Sequence, residues 1–338
     1  MKIDRRLSVV LVNSFLCLVI VSTLSCKSGP KIGFMLPHMN SKRYLVEKDV
    51  FSSKVEELGG KVLFKSADND EEKQVQQLNE ILKEGIDVLV LDPVNRFRGA
   101  EMVRLAHKKG IKVISYDRLV ANCDVDALVT FDAKAIGKQM ADYALSKKPL
   151  GNYIILGGDG SDVNALMIDE AVEKSLQQAV KSGNIKIIYR SLVEKYAQDE
   201  SENLTLKCLK LINQKPDVII TSNDAMAQRV INALAKEKIT QEVIITAQNA
   251  ELFACKNILA GKQSITIYKS VKKMASVTAD LAIKLAKGES VKKICNSSLY
   301  NGSIDVPTYF FEVNLVDAAN LKSIVIGDGF YTENEVYN

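Results

Sequence analysis

Short apolar segments alternate with amphipathic segments from Lys31 onward, a pattern typical of strands and helices in an α/β fold. Val88–Leu91 is continuously apolar, whereas Ala100–Lys109 has apolar residues about every 3.6 positions, as a sheet-covering helix requires. Such strands, separated by helices, predict a parallel sheet buried on both faces. The first half has predicted strands at Ile32–Leu36, Val62–Phe64, Val88–Leu91, Val113–Tyr116 and Leu128–Thr130, and helices at Arg43–Leu58, Glu71–Lys83 and Ala100–Lys109.

The same alternation repeats in the second half and predicts a second, similar lobe. Its strands are predicted at Tyr153–Leu156, Ile185–Ile188, Val218–Thr221, Val243–Thr246 and Ile265–Tyr268, and its helices at Val163–Val180, Glu202–Ile212, Ala225–Ala235 and Leu252–Leu259. A further helix, Met274–Ala286, precedes a strand-rich tail that returns to both lobes.

The predicted architecture is therefore two Rossmann-like α/β lobes with parallel sheets, joined by hinge crossovers near Asp132–Gly137 and Tyr268–Ser270. The N-terminal lobe is predicted to comprise residues 31–135 plus 270–310. The C-terminal lobe is predicted to comprise residues 136–269 plus 311–338.

Residues 1–26 have a different pattern, in which basic residues precede an apolar run from Leu7 to Val21. The run is shorter than the roughly 20 residues of a bilayer span, so it predicts a secretory signal peptide. Thr23–Cys26 resembles a bacterial lipobox, which predicts a lipoprotein with Cys26 as the lipidated residue. The expected location is the periplasm or cell envelope, with a lipid anchor in a membrane; a retained N-terminal anchor helix is the alternative.

Charge and cysteine content exclude several classes of protein. The formal net charge is +4, and half of it belongs to the signal segment, so the remainder predicts no nucleic-acid binding. Cys123, Cys208, Cys255 and Cys295 form no CxxC pair, so no metal site and no cofactor is expected. A disulfide among them remains open.

Polar side chains follow five of the predicted strands at the point where each strand ends. They are Asp117 and Arg118, the segment Asp159–Asn164, Asn223 and Asp224, Gln248 and Asn249, and Lys269. Ligands of open parallel sheets bind beyond the carboxyl ends of the strands, so these residues predict one binding cleft.

Carboxylates, carboxamides, a guanidinium and an ammonium together suit an uncharged polyhydroxylated ligand, because each sugar hydroxyl both donates and accepts. Tyr44 and Tyr196 offer aromatic faces for a pyranose ring. The alternatives are structural: Asp162 and Asn223 as helix caps, and Arg118 in a surface ion pair. Gly157–Gly160 is interpreted as a tight turn and not as a phosphate cradle.

Catalytic chemistry is not predicted. The two histidines, His38 and His107, are far apart, and no Ser/His/Asp or Cys/His arrangement is present. An enzyme acting on a sugar needs a base or nucleophile and usually a cofactor site, and the sequence displays neither. The chain is therefore interpreted as a binding protein and not as an enzyme.

Several strings, specific in combination, carry a resemblance to a known family. They include Lys42-Arg43-Tyr44, Ser115-Tyr116-Asp117-Arg118, Ser222-Asn223-Asp224-Ala225 and Ile267-Tyr268-Lys269. From Lys31 to its C-terminus the chain resembles the periplasmic sugar-binding proteins of ABC importers, and among them the D-xylose-binding proteins. The resemblance implies a type I periplasmic binding protein fold.

The resemblance also implies which residues contact the sugar hydroxyls: Arg43, Asp117, Arg118, Asp162, Asn164, Asn223 and Lys269. Tyr44 and Tyr196 stand where the xylose binders have two tryptophans that sandwich the pyranose. Asn249 stands where the family has an aspartate. Since Asn donates where Asp only accepts, these departures leave the identity of the sugar open between D-xylose and a related aldose.

The implied function is hinge closure on a monosaccharide and its delivery, by a monomeric protein, to an ABC permease in the membrane. A sensing role toward a histidine kinase or chemoreceptor is the alternative. Transcriptional regulators of the LacI type share the two lobes but need an N-terminal helix-turn-helix, and residues 1–26 are apolar instead.

Overall fold

A computed structural model of the chain describes residues 29–211, 215–290 and 294–338. The predicted signal segment 1–26, with the lipidation site Cys26, lies outside the described residues. Within the described ranges, no helix is long and apolar enough to cross a membrane. Four cysteines lie in these ranges, and all are free thiols: Cys123, Cys208, Cys255 and Cys295. These four cysteines therefore form no disulfide with one another in this structure.

The first sheet has seven strands, in the order β11-β12-β5-β4-β3-β1-β2. Its strands are β1 (Lys31–Leu36), β2 (Lys61–Ser66), β3 (Val88–Leu91), β4 (Lys112–Tyr116), β5 (Ala127–Phe131), β11 (Ser297–Tyr300) and β12 (Asp305–Phe311). All pairs are parallel except β11 with β12. Four helices belong with this sheet: α1 (Lys42–Glu57), α2 (Glu71–Glu84), α3 (Arg96–His107) and α9 (Val271–Ala286).

The second sheet has six strands, in the order β13-β10-β9-β8-β6-β7. Its strands are β6 (Gly151–Gly157), β7 (Ile185–Leu192), β8 (Val218–Thr221), β9 (Ile244–Gln248), β10 (Ile265–Tyr268) and β13 (Asn314–Val316). Only β13 is antiparallel to its neighbour. Its helices are α4 (Ala133–Lys147), α5 (Val163–Lys181), α6 (Gln198–Leu211), α7 (Asp224–Lys236), α8 (Leu252–Leu259) and α10 (Glu333–Tyr337).

We call the first sheet with its helices the first lobe and the second sheet with its helices the second lobe. Central strands such as β3 and β8 are buried along their whole length, which explains their continuous apolar sequences. Apolar residues fill both faces of each sheet. The predicted α/β class with two parallel sheets is confirmed.

The chain passes between the lobes three times. It crosses from β5 to α4 at Asp132, from β10 to α9 at Lys269 and Ser270, and from β12 to β13 at residues 312–313. The tail therefore contributes strands to both sheets, as predicted. At the first crossing the Asp132 side chain accepts a hydrogen bond from the backbone N–H of Ala135 (3.0 Å) and so begins α4.

Helix α4 is the main element that the sequence pattern failed to predict. Its buried face consists largely of small residues, including Ala141 and Ala144, which produce only a weak periodic signal. Small residues allow a close approach to α5, and Gly137 lies where the two helices meet. A Cβ at Gly137 would overlap the backbone carbonyl oxygen of Ile168.

Gly137→Ala is therefore expected to lower the free energy of unfolding by about 1–3 kcal/mol, because the backbone atom it meets cannot rotate away. Urea denaturation measures the loss. Lys134→Ala, on the exposed side of the same helix, is the control and should change stability by less than about 0.5 kcal/mol. An unchanged unfolding midpoint for Gly137→Ala would contradict this, because it would mean that α4 and α5 move apart to accommodate the methyl group without loss of free energy of unfolding.

Candidate functional site

A cavity of about 260 Å³ lies between the lobes, at the carboxyl ends of both sheets. All ten residues predicted to bind the ligand line it: Arg43, Tyr44, Asp117, Arg118, Asp162, Asn164, Tyr196, Asn223, Asn249 and Lys269. Parallel strands of one sheet end at the same edge, so side chains that are distant in sequence meet there. We call this space the central cavity.

Seven further residues line the central cavity: Thr130, Phe131, Ala133, Ile136, Ala165, Ile168 and Gln248. Of these, only Gln248 is among the strand-end polar residues from which the sequence predicts the cleft. Thr130 and Phe131 end β5, and Gln248 ends β9, so the rule that located Asp117 also applies to them. Gln248 Nε2 donates to the Ser222 carbonyl oxygen (2.9 Å), whereas its buried Oε1 has no hydrogen-bond partner among the described residues. That oxygen is available to a ligand hydroxyl.

Arg43 and Asp117 form the charged centre of the first-lobe wall. Arg43 Nη2 lies 2.9 Å from Asp117 Oδ2, and its Nε donates to Glu47 Oε1 (2.8 Å) one helical turn along α1. Asp117 has a φ of 59°, which turns the chain sharply after β4; Asp tolerates this left-handed conformation better than most residues. Burial alone would raise the pKa of Asp117, but Arg43, Lys269 and Arg118 outweigh burial and hold it below its ordinary value. The carboxylate is therefore charged.

The carboxyl groups behind this wall behave differently. Glu47 is fully buried, and burial raises its pKa to about 7 although Arg43 opposes the shift. Asp92 is also fully buried, and burial raises its pKa well above the ordinary value, with Arg118 as the main opposing charge. Arg118 Nε lies 3.8 Å from Asp92 Oδ1, and its Nη1 donates to the Pro93 carbonyl oxygen (3.2 Å). These contacts fix the direction of the Arg118 guanidinium.

Lys269 occupies the crossing between β10 and α9 and lines the central cavity. Its Nζ lies 5.8 Å from the centre of the Phe131 ring. Burial, together with the nearby Arg43, lowers the pKa of Lys269 to about 8, although Asp117 opposes the shift. The ammonium is charged at neutral pH and is a hydrogen-bond donor in the cavity wall.

In the second lobe, residues that cap helices also line the cavity, so the capping role is confirmed and is compatible with the predicted contact with a ligand. Asp162 caps α5 through Oδ1, which accepts from Asn164 N (2.8 Å), and its Oδ2 accepts from the Tyr196 hydroxyl (2.7 Å). Asn223 caps α7 through Oδ1, which accepts from Met226 N (2.9 Å). Capping thus fixes both side chains and leaves the Asn223 amide N–H₂ for other contacts.

The two lobes touch across the cavity where Asn164 Nδ2 donates to the Asp117 carbonyl oxygen (3.3 Å). Tyr44 belongs to the first lobe and is 5% exposed, with the His38 ring at 4.5 Å and edge-on. Tyr196 belongs to the second lobe and fits because residue 158 is glycine. A Cβ at Gly158 would lie 2.5 Å from Tyr196 Cε1 and 2.6 Å from Ser222 Oγ.

Comparison with known proteins identifies the family. The family model described as "Periplasmic binding protein domain" matches residues 32–290. The chain belongs to the periplasmic binding protein family. Family members of this type are non-enzymatic receptors for sugars, which agrees with the interpretation of the chain as a binding protein.

Two relatives of this periplasmic binding protein are D-xylose-binding periplasmic proteins. The one from Haemophilus influenzae is 33% identical over 321 residues, which cover 95% of this chain and 96% of the relative. The one from Escherichia coli is 34% identical over 306 residues, which cover 90% and 92%.

Among solved structures, a solute-binding protein of an ABC transporter from Clostridium phytofermentans, with bound β-D-glucose, superimposes with a TM-score of 0.82. It is 27% identical, and the match covers 90% of this chain and 99% of that one. The resemblance noted in the sequence is therefore confirmed, and the chain is a sugar-binding periplasmic protein of the ABC transporter type.

Proposed function

We propose that this protein captures one monosaccharide, D-xylose or a closely related aldose, in the central cavity and delivers it to an ABC sugar importer. The observation that carries the proposal is the convergence of all ten predicted residues on one cavity between the lobes. The names of the two relatives support D-xylose as the first ligand to test.

The chemistry of the wall supports a ligand with several hydroxyl groups. Arg43, Arg118 and Lys269 only donate hydrogen bonds, the Asp117 carboxylate only accepts, and the carboxamides of Asn223 and Gln248 still have free groups. A hydroxyl both donates and accepts, so it pairs with either kind of partner. In a closed cavity an analogue that leaves one of these groups unpaired loses affinity, which makes the same wall a specificity filter.

At two places the cavity wall departs from the family pattern, and these departures affect which aldose the protein prefers. Tyr44 and Tyr196 replace two tryptophans and offer smaller faces, and the Tyr196 hydroxyl is already held by Asp162. Asn249, whose φ is 110°, presents an amide where the family has a carboxylate. Asn249 can donate a hydrogen bond to a sugar hydroxyl, which a carboxylate at this position could not do, so we propose an aldopyranose that places a hydroxyl oxygen near this amide.

The proposed mechanism of capture is closure of the first lobe on the second. The chain divides between the lobes at the three crossings, so residues 133–135 lie with α4 in the second lobe and Phe311 lies with β12 in the first. The three crossings at Asp132, at Lys269 with Ser270, and at residues 312–313 serve as hinges. Lys269 is both a cavity residue and part of a crossing, so contact with sugar stabilises the crossing in its closed form. We further propose that a lipid on Cys26 holds the receptor, as a monomer, at the membrane beside the permease.

A thermal-shift screen of pentoses and hexoses on the purified protein tests the proposal. A ligand present at tens of its Kd stabilises the folded protein by about 2 kcal/mol or more through mass action. D-Xylose is expected to give one of the largest increases in Tm. The absence of a shift with every monosaccharide would refute the sugar-capture function.

The pH dependence of affinity is a second test, because Lys269 titrates near neutrality. Its pKa of about 8 means that the ammonium is present below pH 8 and is lost above it. A charged donor makes a stronger hydrogen bond than a neutral amine, so the decline in sugar affinity should begin near pH 7, be centred on pH 8 and reach roughly fivefold by pH 9.5. Lys269→Gln should bind sugar more weakly than the wild type at pH 7, and its affinity should not fall further at high pH. If the affinity of both proteins falls equally with pH, a group other than Lys269 titrates.

A further inference from the structure

A second space, of about 390 Å³, adjoins the central cavity at the mouth of the cleft. Its first-lobe wall is the segment Pro93–Phe97 after β3, with Leu119, and its second-lobe wall is the loop after β6. Arg118, Asp162, Asn164 and Tyr196 line both spaces. We call this second space the outer chamber. The outer chamber and the central cavity are therefore neighbours that share these four residues as a common wall.

An exposed aromatic ring faces this chamber. Phe97 is 58% exposed, which is unusual for so large an apolar side chain, and it lies at the start of α3. The Asn95 side chain fixes this helix start by accepting hydrogen bonds from Phe97 N (2.9 Å) and Arg98 N (3.1 Å). The ring is therefore presented on a firm helix end and not on a loose loop.

A guanidinium lies over one face of the Phe97 ring and leaves the other face for a ligand. The Arg96 guanidinium carbon is 5.0 Å from the centre of the Phe97 ring. Arg96 Nε is buried and has no hydrogen-bond partner among the described residues, which leaves a donor unused in the chamber wall. Burial lowers the pKa of Arg96, and Asp162 opposes the shift.

The opposite wall is rigid. The Asp159 carboxylate accepts hydrogen bonds from Ser161 N (2.7 Å), from the Ser161 hydroxyl (2.6 Å) and from Lys195 N (2.6 Å), so the loop after β6 is a tight turn in which the Ser161 oxygen is left as an acceptor. The chamber therefore combines an aromatic face, a free guanidinium donor and hydroxyl or amide groups on a fixed turn. The ligand class that needs this combination is a sugar ring, with its apolar face on Phe97 and its hydroxyls toward Arg96 and Ser161.

We propose that the outer chamber is a second sugar subsite, which takes a pyranose linked by a glycosidic bond to the one in the central cavity. The protein then binds a disaccharide more tightly than a monosaccharide. This inference rests on the proposed function, because the first ring must occupy the central cavity. It extends that function from monosaccharides to short glycosides.

Calorimetric titration separates the two proposals. The ligands are the monosaccharide that gives the largest thermal shift, its methyl β-glycoside and its β-1,4-linked disaccharide; for D-xylose the disaccharide is xylobiose. The disaccharide should bind roughly fivefold more tightly than the methyl glycoside, since ring stacking has that magnitude. Monosaccharide affinity alone reports on the central cavity, so failure there is distinguishable from failure here.

Phe97→Ala should abolish the roughly fivefold tighter binding of the disaccharide relative to the methyl glycoside. Its affinity for the monosaccharide should stay within about twofold of the wild-type value. Arg96→Gln should reduce the same gain in part. Tyr300→Ala, which removes another exposed aromatic ring (64% exposed) on β11, is the matched control and should change neither affinity. A disaccharide that binds no more tightly than the methyl glycoside, or a Phe97→Ala variant that weakens both ligands alike, would overturn the second subsite.

Discussion

Asp117→Asn is expected to weaken sugar binding at least about 100-fold while the protein still folds. The charged carboxylate is the strongest acceptor in the central cavity, and hydrogen bonds to a charged group contribute about 1.5–3 kcal/mol each. An amide replaces one carboxylate oxygen by an N–H₂ donor, so the sugar hydroxyls lose a charged acceptor and Arg43 loses its ion pair with residue 117. Titration calorimetry measures the loss.

Asn is the appropriate replacement because it also tolerates the positive φ of residue 117, so the turn after β4 is preserved. Arg43 keeps Glu47 as a partner, which limits the cost in stability to about 1–2 kcal/mol. Asp124→Asn, at an exposed aspartate of the same lobe, is the matched control and should bind sugar normally. Affinity for Asp117→Asn within threefold of the wild type would show that the ligand does not contact this wall.

Arg118→Ala is expected to have a similarly large effect, again at least about 100-fold, because the proposed site loses a charged donor whose direction is fixed by the Pro93 carbonyl oxygen. Its effect on folding should be small. Burial raises the pKa of the fully buried Asp92 well above its ordinary value and Arg118 opposes the shift, so the loss of Arg118 shifts Asp92 further toward its neutral form and reduces the cost of leaving it without a partner. Calorimetry and urea denaturation on the same preparation give both quantities.

The variant Asp92→Asn distinguishes a direct contact of Arg118 with sugar from the pairing of Arg118 with Asp92. It removes the carboxyl group behind Arg118 but leaves the hydrogen bond from Arg118 to the Pro93 carbonyl oxygen, so the guanidinium keeps its direction. Sugar affinity should therefore fall less than about tenfold in Asp92→Asn. If the two variants lose affinity equally, Arg118 acts by organising the first lobe and not by contacting sugar.

Much of the fold and of the cavity wall follows from the sequence pattern for a simple physical reason. Continuous apolar strands such as Val88–Leu91 require cover on both faces, and the helices between them supply it. Once the strands are parallel, all their carboxyl ends share one edge, so residues as distant as Asp117 and Asn223 are brought to one cavity. Local composition and topology lead to the same arrangement.

Other features depend on tertiary contacts that no local pattern encodes. Helix α4 was missed because its packing uses Ala and Gly instead of large apolar residues. Glu47 has the appearance of a solvent-facing helix residue, and only the structure shows that it is fully buried behind Arg43. Phe131 and Gln248 end buried strands and both line the cavity. Their positions there depend on the strand register of the first sheet for Phe131 and of the second sheet for Gln248.

Titration of the purified protein with D-xylose by calorimetry tests the central claim most directly. The proposed function predicts saturable binding of one sugar per chain, with the sugar recovered chemically unchanged, and loss of the heat in Asp117→Asn. The absence of binding by D-xylose and by every related aldose, or conversion of the sugar beyond one equivalent, would contradict it.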